Sequence, residues 1–265
     1  MKSQNPNGRC AAFTLIELLV VIFILSVLAA MVFPALAGTN PKSKAAQCMN
    51  NLRRLTGAWQ MYASDNADQI IANPTWVAGF MDWNISPDNT NTMKLIDPIQ
   101  SPIARYVQAA DLFKCPADNY LSPVQRASAF SQRMRSVSLN GALGGNPLIN
   151  NQIAGRTYFG ARRVTELSKP GPANTIAILD EHPDSINDGT FFAMEGLQAS
   201  NAQWVDLPAS YHAGGGGLSF ADGHAIMRRW QDIRTVRPVG FITPPSLFVP
   251  GSVDYVWVND RLPYR

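Results

Sequence analysis

The sequence predicts an α+β fold: a long N-terminal helix, apolar in its first half and amphipathic in its second, packed on a loop-rich antiparallel β-sheet head. Three observations predict it. Residues 13–37 are apolar almost without interruption, residues 43–66 place apolar side chains at three- and four-residue intervals, and the remainder breaks into short β-prone stretches separated by Gly, Pro, Asn and Asp clusters. At 265 residues the chain is long enough to bury a sizeable core, which removes mini-protein readings. Charged residues are only 15% of the chain, and 19 Gly with 19 Pro argue for many turns, against an all-helical bundle. A net charge of +3 supplies no phosphate-neutralising face, so nucleic acid is not an expected partner. Cys10, Cys48 and Cys115 are too few for a disulfide scaffold and lack Cys-x-x-Cys spacing.

Each element follows in order. Residues 1–12 form a polar leader whose only charges are Lys2 and Arg9. Residues 13–37, FTLIELLVVIFILSVLAAMVFPALA, hold one charged residue, Glu17. At ~1.5 Å per residue this run exceeds the ~30 Å hydrocarbon core of a bilayer, and it is longer than the ~7–15 residues of a secretory h-region. A carboxylate in that position costs a few kcal/mol in lipid. Glu17 is therefore either a functional group with a partner or an interfacial residue that snorkels.

Residues 38–66 form the stem. Ala45, Met49, Leu52, Leu55, Trp59 and Tyr62 define one face of a helix from Ser43 to about Asn66, and Gly38, Asn40 and Pro41 interrupt its join to the apolar run. Residues 67–265 form the head. TWVAGFMDW, NTIAILDE, GTFFAM, GLSFADGHAIMRRW and VDYVWVND read as short strands. The strongest local signal is a hairpin with Asp222 and Gly223 as a two-residue turn of positive φ, which sets Phe220 opposite Ala225 and Leu218 opposite Met227.

The string FTLIELLVVIFILSVLAAMVFP resembles the prepilin-type cleavage and methylation segment of type IV pilins and type II secretion pseudopilins. The resemblance implies a pilin-like fold and processing by a prepilin peptidase between Ala12 and Phe13, with methylation of Phe13. In that family the residue before the cut is usually Gly; here it is Ala12. The resemblance also implies that Glu17 pairs with the terminal amine of a neighbouring subunit, and that Pro34 holds the place of a helix-kinking proline. A second resemblance covers the head: His212, nine residues, then Asp222 and Gly223, within YHAGGGGLSFADGHAIMRRW, are similar to the His-x9-Asp-Gly element of the prepilin processing-associated domain. AAQCMNNLRRL and FKCPAD are similar to that group as well. It implies a class, with no activity for His212 or Asp222.

With the head outside the inner membrane and Cys10 lost with the leader, Cys48 and Cys115 are an even pair, either a disulfide or two buried thiols. His212, Asp222 and His224, like Asp180, Glu181 and His182, are chemically suited to a metal but match no recognised spacing, and no metal is expected from them. Asp184, Asp188, Gly189 and Glu195 fall at positions 1, 5, 6 and 12 of a calcium-loop template that Ile186 breaks at position 3; the alternative is a turn at Asn187-Asp188-Gly189. A Gly-x-Ser-x-Gly elbow is missing, and the run Gly214–Gly217 lacks the Lys-Ser/Thr of a phosphate loop, so it reads as a flexible approach to the hairpin and the chain reads as a non-enzyme.

The function expected is a structural subunit anchored once in the bacterial inner membrane, its head in the periplasm or on the filament. It would assemble with itself and other pilin-like subunits, through the inner-membrane assembly machinery, into a filament or type II secretion-type pseudopilus. The alternative is a membrane-anchored extracytoplasmic module that binds a ligand such as a polysaccharide. An envelope enzyme using His212 and Asp222 ranks last.

Overall fold

A computed structural model describes residues 15–37, 41–153, 155–193, 199–243 and 246–265, without the side chains of 29–37, 153 and 199. The chain divides into two compact units, Met1–Ser43 and Lys44–Arg265.

The first unit contains helix α1 (Leu15–Ala37). Its side chains from 15 to 28 are all exposed. Glu17 lies in the first turn, where an acid favours the positive end of the helix dipole, and the Ser26 hydroxyl donates to the Phe23 carbonyl at 2.7 Å, satisfying its donor within the helix. The apolar stretch whose side chains are described covers about 21 Å. Among the described residues no helix is long and apolar enough to cross a membrane. The join at Gly38 and Asn40 lies outside the described residues.

Helix α2 (Pro41–Asp65), which lies in the second unit from Lys44 onward, opens on a proline, tolerated there because the first helical N–H has no intrahelical partner. It buries Cys48, Leu52, Leu55, Trp59 and Ala63 at helical spacing, the face expected from the sequence. Short helices α3 (Met93–Ile96) and α4 (Pro123–Ala127) lie in the long connection that follows. The strands are β1 (Val137–Asn140), β2 (Asn150–Ile153), β3 (Arg156–Phe159), β4 (Ile176–Asp180), β5 (Thr190–Phe191), β6 (Gln203–Trp204), β7 (Gly215–Phe220), β8 (Ala225–Arg229) and β9 (Leu247–Phe248), and helix α5 (Val253–Asn259) ends the fold.

The main sheet has the order β5-β1-β4-β7-β8, antiparallel except for the parallel β1–β5 pair. Its central strands β4 and β7 are buried along their whole length because both faces are covered. On one face Ala177 and Ile178 share a core with Leu52, Leu55 and Trp59 of α2. On the other, Ile176, Leu179, Leu218 and Phe220 pack with Trp204, Tyr255 and Val258. The irregular register between Ile176 and Leu179 explains why Ala177 and Ile178 face the same side despite the strand's period of two.

Four sequence expectations are corrected. VDYVWVND is a helix, because Ser252 caps it, its Oγ accepting from the Tyr255 amide at 3.4 Å, and burial at 254, 255, 258 and 259 follows a helical stripe. TWVAGFMDW pairs with no strand; its Trp76 is instead anchored by an indole N–H donated to the Gly189 carbonyl at 2.6 Å. Gly215–Gly217 open the central strand β7 and are not a flexible approach. The hairpin is one residue out of the expected register, with Ser219 opposite Ala225 and Leu218 opposite Ile226. The chain turns through 220–223, the Gly223 amide donating to the Phe220 carbonyl at 2.8 Å, and there only Gly223 has positive φ, +98°. This longer connection moves the pairing by one.

Candidate functional site

The helix face, the sheet and two loops bring four reactive side chains together on the α2 side of β4. Cys48 comes from the second turn of α2, Cys115 from the loop before α4, Asp180 from the end of β4 and His212 from the turn before β7. One ligand atom from each lies within 4.8 Å of all the others. The Cys48 thiol donates to Asp180 Oδ2 at 2.9 Å, and Cys115 Sγ lies 3.2 Å from His212 Nε2. The Gly217 amide donates to the same Asp180 Oδ2 at 3.0 Å, while Asp180 Oδ1 is buried with no hydrogen-bond partner.

The pocket is shaped by Gly217. A Cβ there would lie 2.7 Å from Leu52 Cδ1 and 3.0 Å from both Asp180 Oδ2 and Cys48 Sγ, so only glycine leaves the four groups room to meet. Cys48, Cys115 and Asp180 are each about 1% exposed. His212 is half-buried, and a cavity of about 390 Å³ lined by Gln47, Asn51, Lys114, Cys115 and Asp118 opens beside Cys115. Burial pushes the Asp180 carboxyl up to about 7. The hydrogen bond with Cys115, then burial, push the Cys48 thiol far up, and burial followed by the nearby Lys44 charge lowers His212. Lys114 and Arg133, the buried cations beside this cluster, face Asp118 at 3.0 Å and 3.7 Å.

Cys48 and Cys115 are adjacent, buried free thiols, the second of the two alternatives left open by the sequence, with Cys48 hydrogen-bonded to Asp180 and Cys115 Sγ beside His212 Nε2. The other residues singled out in the sequence serve separate structural roles. His212 and Asp222 do not meet: β7 separates them, and Asp222 instead pairs with His224 at 2.6 Å on the exposed hairpin turn. Asp180, Glu181 and His182 do not form one cluster, since each side chain is held by different partners. Glu181 accepts from Ser138 and Ser185, and His182 Nε2 contacts the Arg237 carbonyl at 3.1 Å. Asp184 accepts from the Trp83 indole and from the Gly240 and Phe241 amides, and Asp188 from the Thr190 amide, so both carboxylates serve loop structure; Glu195 lies outside the described residues. Ala12 and Phe13 lie outside them too, as does the side chain of Pro34. Sequence reasoning attached neither Asp180 nor His212 to the thiols; the signal at Asp180 was an acid ending an otherwise apolar strand, IAILD.

Residues 7–33 match the prokaryotic N-terminal methylation motif. The chain is similar to the type II secretion system core protein G of Klebsiella pneumoniae, 44% identical over 59 residues, or 22% of this chain and 42% of the relative. It is likewise similar to that of Pectobacterium carotovorum subsp. carotovorum, 41% identical over 67 residues, 24% of this chain and 43% of the relative. The protein of Aeromonas hydrophila is 40% identical over 76 residues, 25% of this chain and 53% of the relative. No solved structure matches the chain. The chain spans about half the length of these curated relatives, and its N-terminus carries the prepilin-type methylation motif that the sequence led us to expect.

Proposed function

We propose that this protein is a pilin-like structural subunit of a type II secretion-type pseudopilus or related filament, with no catalytic role of its own. A prepilin peptidase cuts between Ala12 and Phe13 and methylates Phe13. Residues 13–37 hold the subunit in the bacterial inner membrane until the assembly machinery moves it into the polymer beside other pilin-like subunits. The observation that carries this reading is that the methylation motif, residues 7–33, overlaps a helix that is apolar all round and has an acid in its first turn. Such a helix has no water-facing stripe, so it needs cover on every side, from lipid first and neighbouring helices later. In the polymer Glu17 faces a neighbour's terminal amine, offsetting a carboxylate that is costly alone.

The test is mass spectrometry of the mature N-terminus from native membranes, with wild type and Glu17→Ala compared in the sheared filament fraction. Methylated Phe13 is expected in both, with the variant absent from filaments. An intact leader, or wild-type levels of Glu17→Ala in filaments, would overturn the reading in favour of an anchored ligand-binding module.

A further inference from the structure

We propose that Cys48, Cys115, Asp180 and His212 form a binding site for one zinc-class divalent cation that ties the stem helix to the sheet and to two loops of the head. Zinc accepts thiolate, imidazole and carboxylate donors in a closed tetrahedron. Bonds of about 2.0–2.3 Å in that geometry put donors roughly 3.3–3.8 Å apart, and the four ligand atoms here already lie within 4.8 Å of one another. The donor set selects the ion: two soft sulfurs disfavour calcium and magnesium, while a single acid and a single histidine complete four ligands.

Two further observations point to a cation. Asp180 is about 1% exposed, forms no ion pair among the described residues, and keeps Oδ1 without a partner, a costly arrangement that an ion coordinated at the carboxylate relieves. Gly217 both clears the space and fixes the carboxylate through its amide, the outer-shell support that orients metal ligands. Two buried cations nearby, Lys114 and Arg133, are directed at Asp118 and not at Asp180. Entry is open through half-buried His212 and the cavity beside Cys115.

Binding releases the proton of each thiol to solvent, with that of Asp180 where it carries one, and forms two sulfur bonds, one nitrogen bond and one oxygen bond to the metal. No oxidant or reductant takes part. A Cys48–Cys115 disulfide would use the same two sulfurs, so metal and disulfide exclude each other.

The test uses the full chain, purified in detergent with its thiols reduced and then loaded with zinc or cobalt(II) alone. We expect one equivalent of zinc per chain after gel filtration, a cobalt(II) spectrum with thiolate charge transfer and the intense visible bands of a tetrahedral site, and a zinc-dependent rise in the urea midpoint. His212→Gln, at a half-exposed position, loses the equivalent and the midpoint shift, and Cys115→Ser does the same. Asp222→Asn and His224→Gln, the exposed pair on the hairpin, keep both. Failure of the reduced protein to retain zinc, a cobalt spectrum lacking thiolate bands, or undiminished zinc in His212→Gln would each overturn the proposal. So would a metal-free Cys48–Cys115 disulfide in protein taken from native membranes. None of these results bears on processing at Phe13 or on filament assembly, so the two proposals stand or fall separately.

Discussion

Two glycine-to-alanine changes should move stability in opposite directions, and the structure sets both magnitudes. At Gly217 the new methyl group meets Leu52 Cδ1 at 2.7 Å, Asp180 Oδ2 at 3.0 Å and Cys48 Sγ at 3.0 Å. Leu52 ends in a movable methyl, but it is fully buried against Leu55 and Trp59 and has nowhere to go. Overpacking of this kind costs about 1–3 kcal/mol. Asp180 is pushed back as well, so its hydrogen bond from the Gly217 amide is lost at about 1 kcal/mol, for a total near 2–4 kcal/mol. Gly57 lies inside α2 with nothing within 4 Å of its Cβ position, so alanine there removes backbone freedom from the unfolded chain and gains about 0.5–1 kcal/mol. The assay is urea unfolding of the full chain in detergent followed by tryptophan fluorescence, which reports the second unit because all six tryptophans lie within 59–257. With an m value of about 3 kcal/mol/M, Gly217→Ala should lower the midpoint by roughly 1 M while Gly57→Ala raises it by roughly 0.2–0.3 M. A Gly217→Ala midpoint equal to wild type would refute the packing argument, and a loss at Gly57 would refute the helical one.

Thr56 of α2 is hydrogen-bonded to Ser219 of β7 at 2.6 Å in a fully buried contact, so Thr56→Val should cost about 0.5–1.5 kcal/mol, read as a lower midpoint in the same assay. The Arg234 guanidinium, with the Arg234 amide, holds the Asp232 carboxyl down at about 2. A depressed acid stabilises the fold above its ordinary range near 4, and that stabilisation is lost as pH falls toward 2. Asp232→Asn should therefore be less stable than wild type at pH 6, with the gap closing by pH 2. The gap should stay within about 1 kcal/mol because Arg234 is 40% exposed, and thermal melts at the two pH values check it.

Local patterns in the sequence carried much of this fold. The α2 stripe from Met49 to Trp59, strand β4 in NTIAILDE and the existence of the β7–β8 hairpin were all readable from periodicity. What local pattern misassigned was decided by tertiary contacts. The β-prone residues of VDYVWVN became a helix once Ser252 capped it and Tyr255 found Trp204, with ring centroids 5.2 Å apart. The glycines 215–217 became part of a central strand where the backbone of Arg228 and Ala209 and the Leu52 side chain of α2 approach too closely for a Cβ. At the site, each sulfur and His212 stood out singly, but the quartet did not. Its members lie in four chain segments, and the nine-residue spacing drew attention to Asp222, which a six-residue strand of about 20 Å carries away from His212. Spacing along a chain reports proximity within a helix or turn, and an extended strand defeats it.

The pairing of α2 with β4 and β7 joins residues 132 apart at Cys48–Asp180, 161 apart at Gln60–Ala221 and 163 apart at Thr56–Ser219. Its consequence is kinetic. The helix is made early in synthesis, yet the surface it covers is complete only when the segment through 221 has been made. Until then Leu52, Leu55 and Trp59 present an open apolar stripe, and the loop to be closed is long enough to make closure slow. Any newly made copy must pass through this interval with its greasiest face uncovered, which makes the interval before hairpin docking the point where self-association competes with folding.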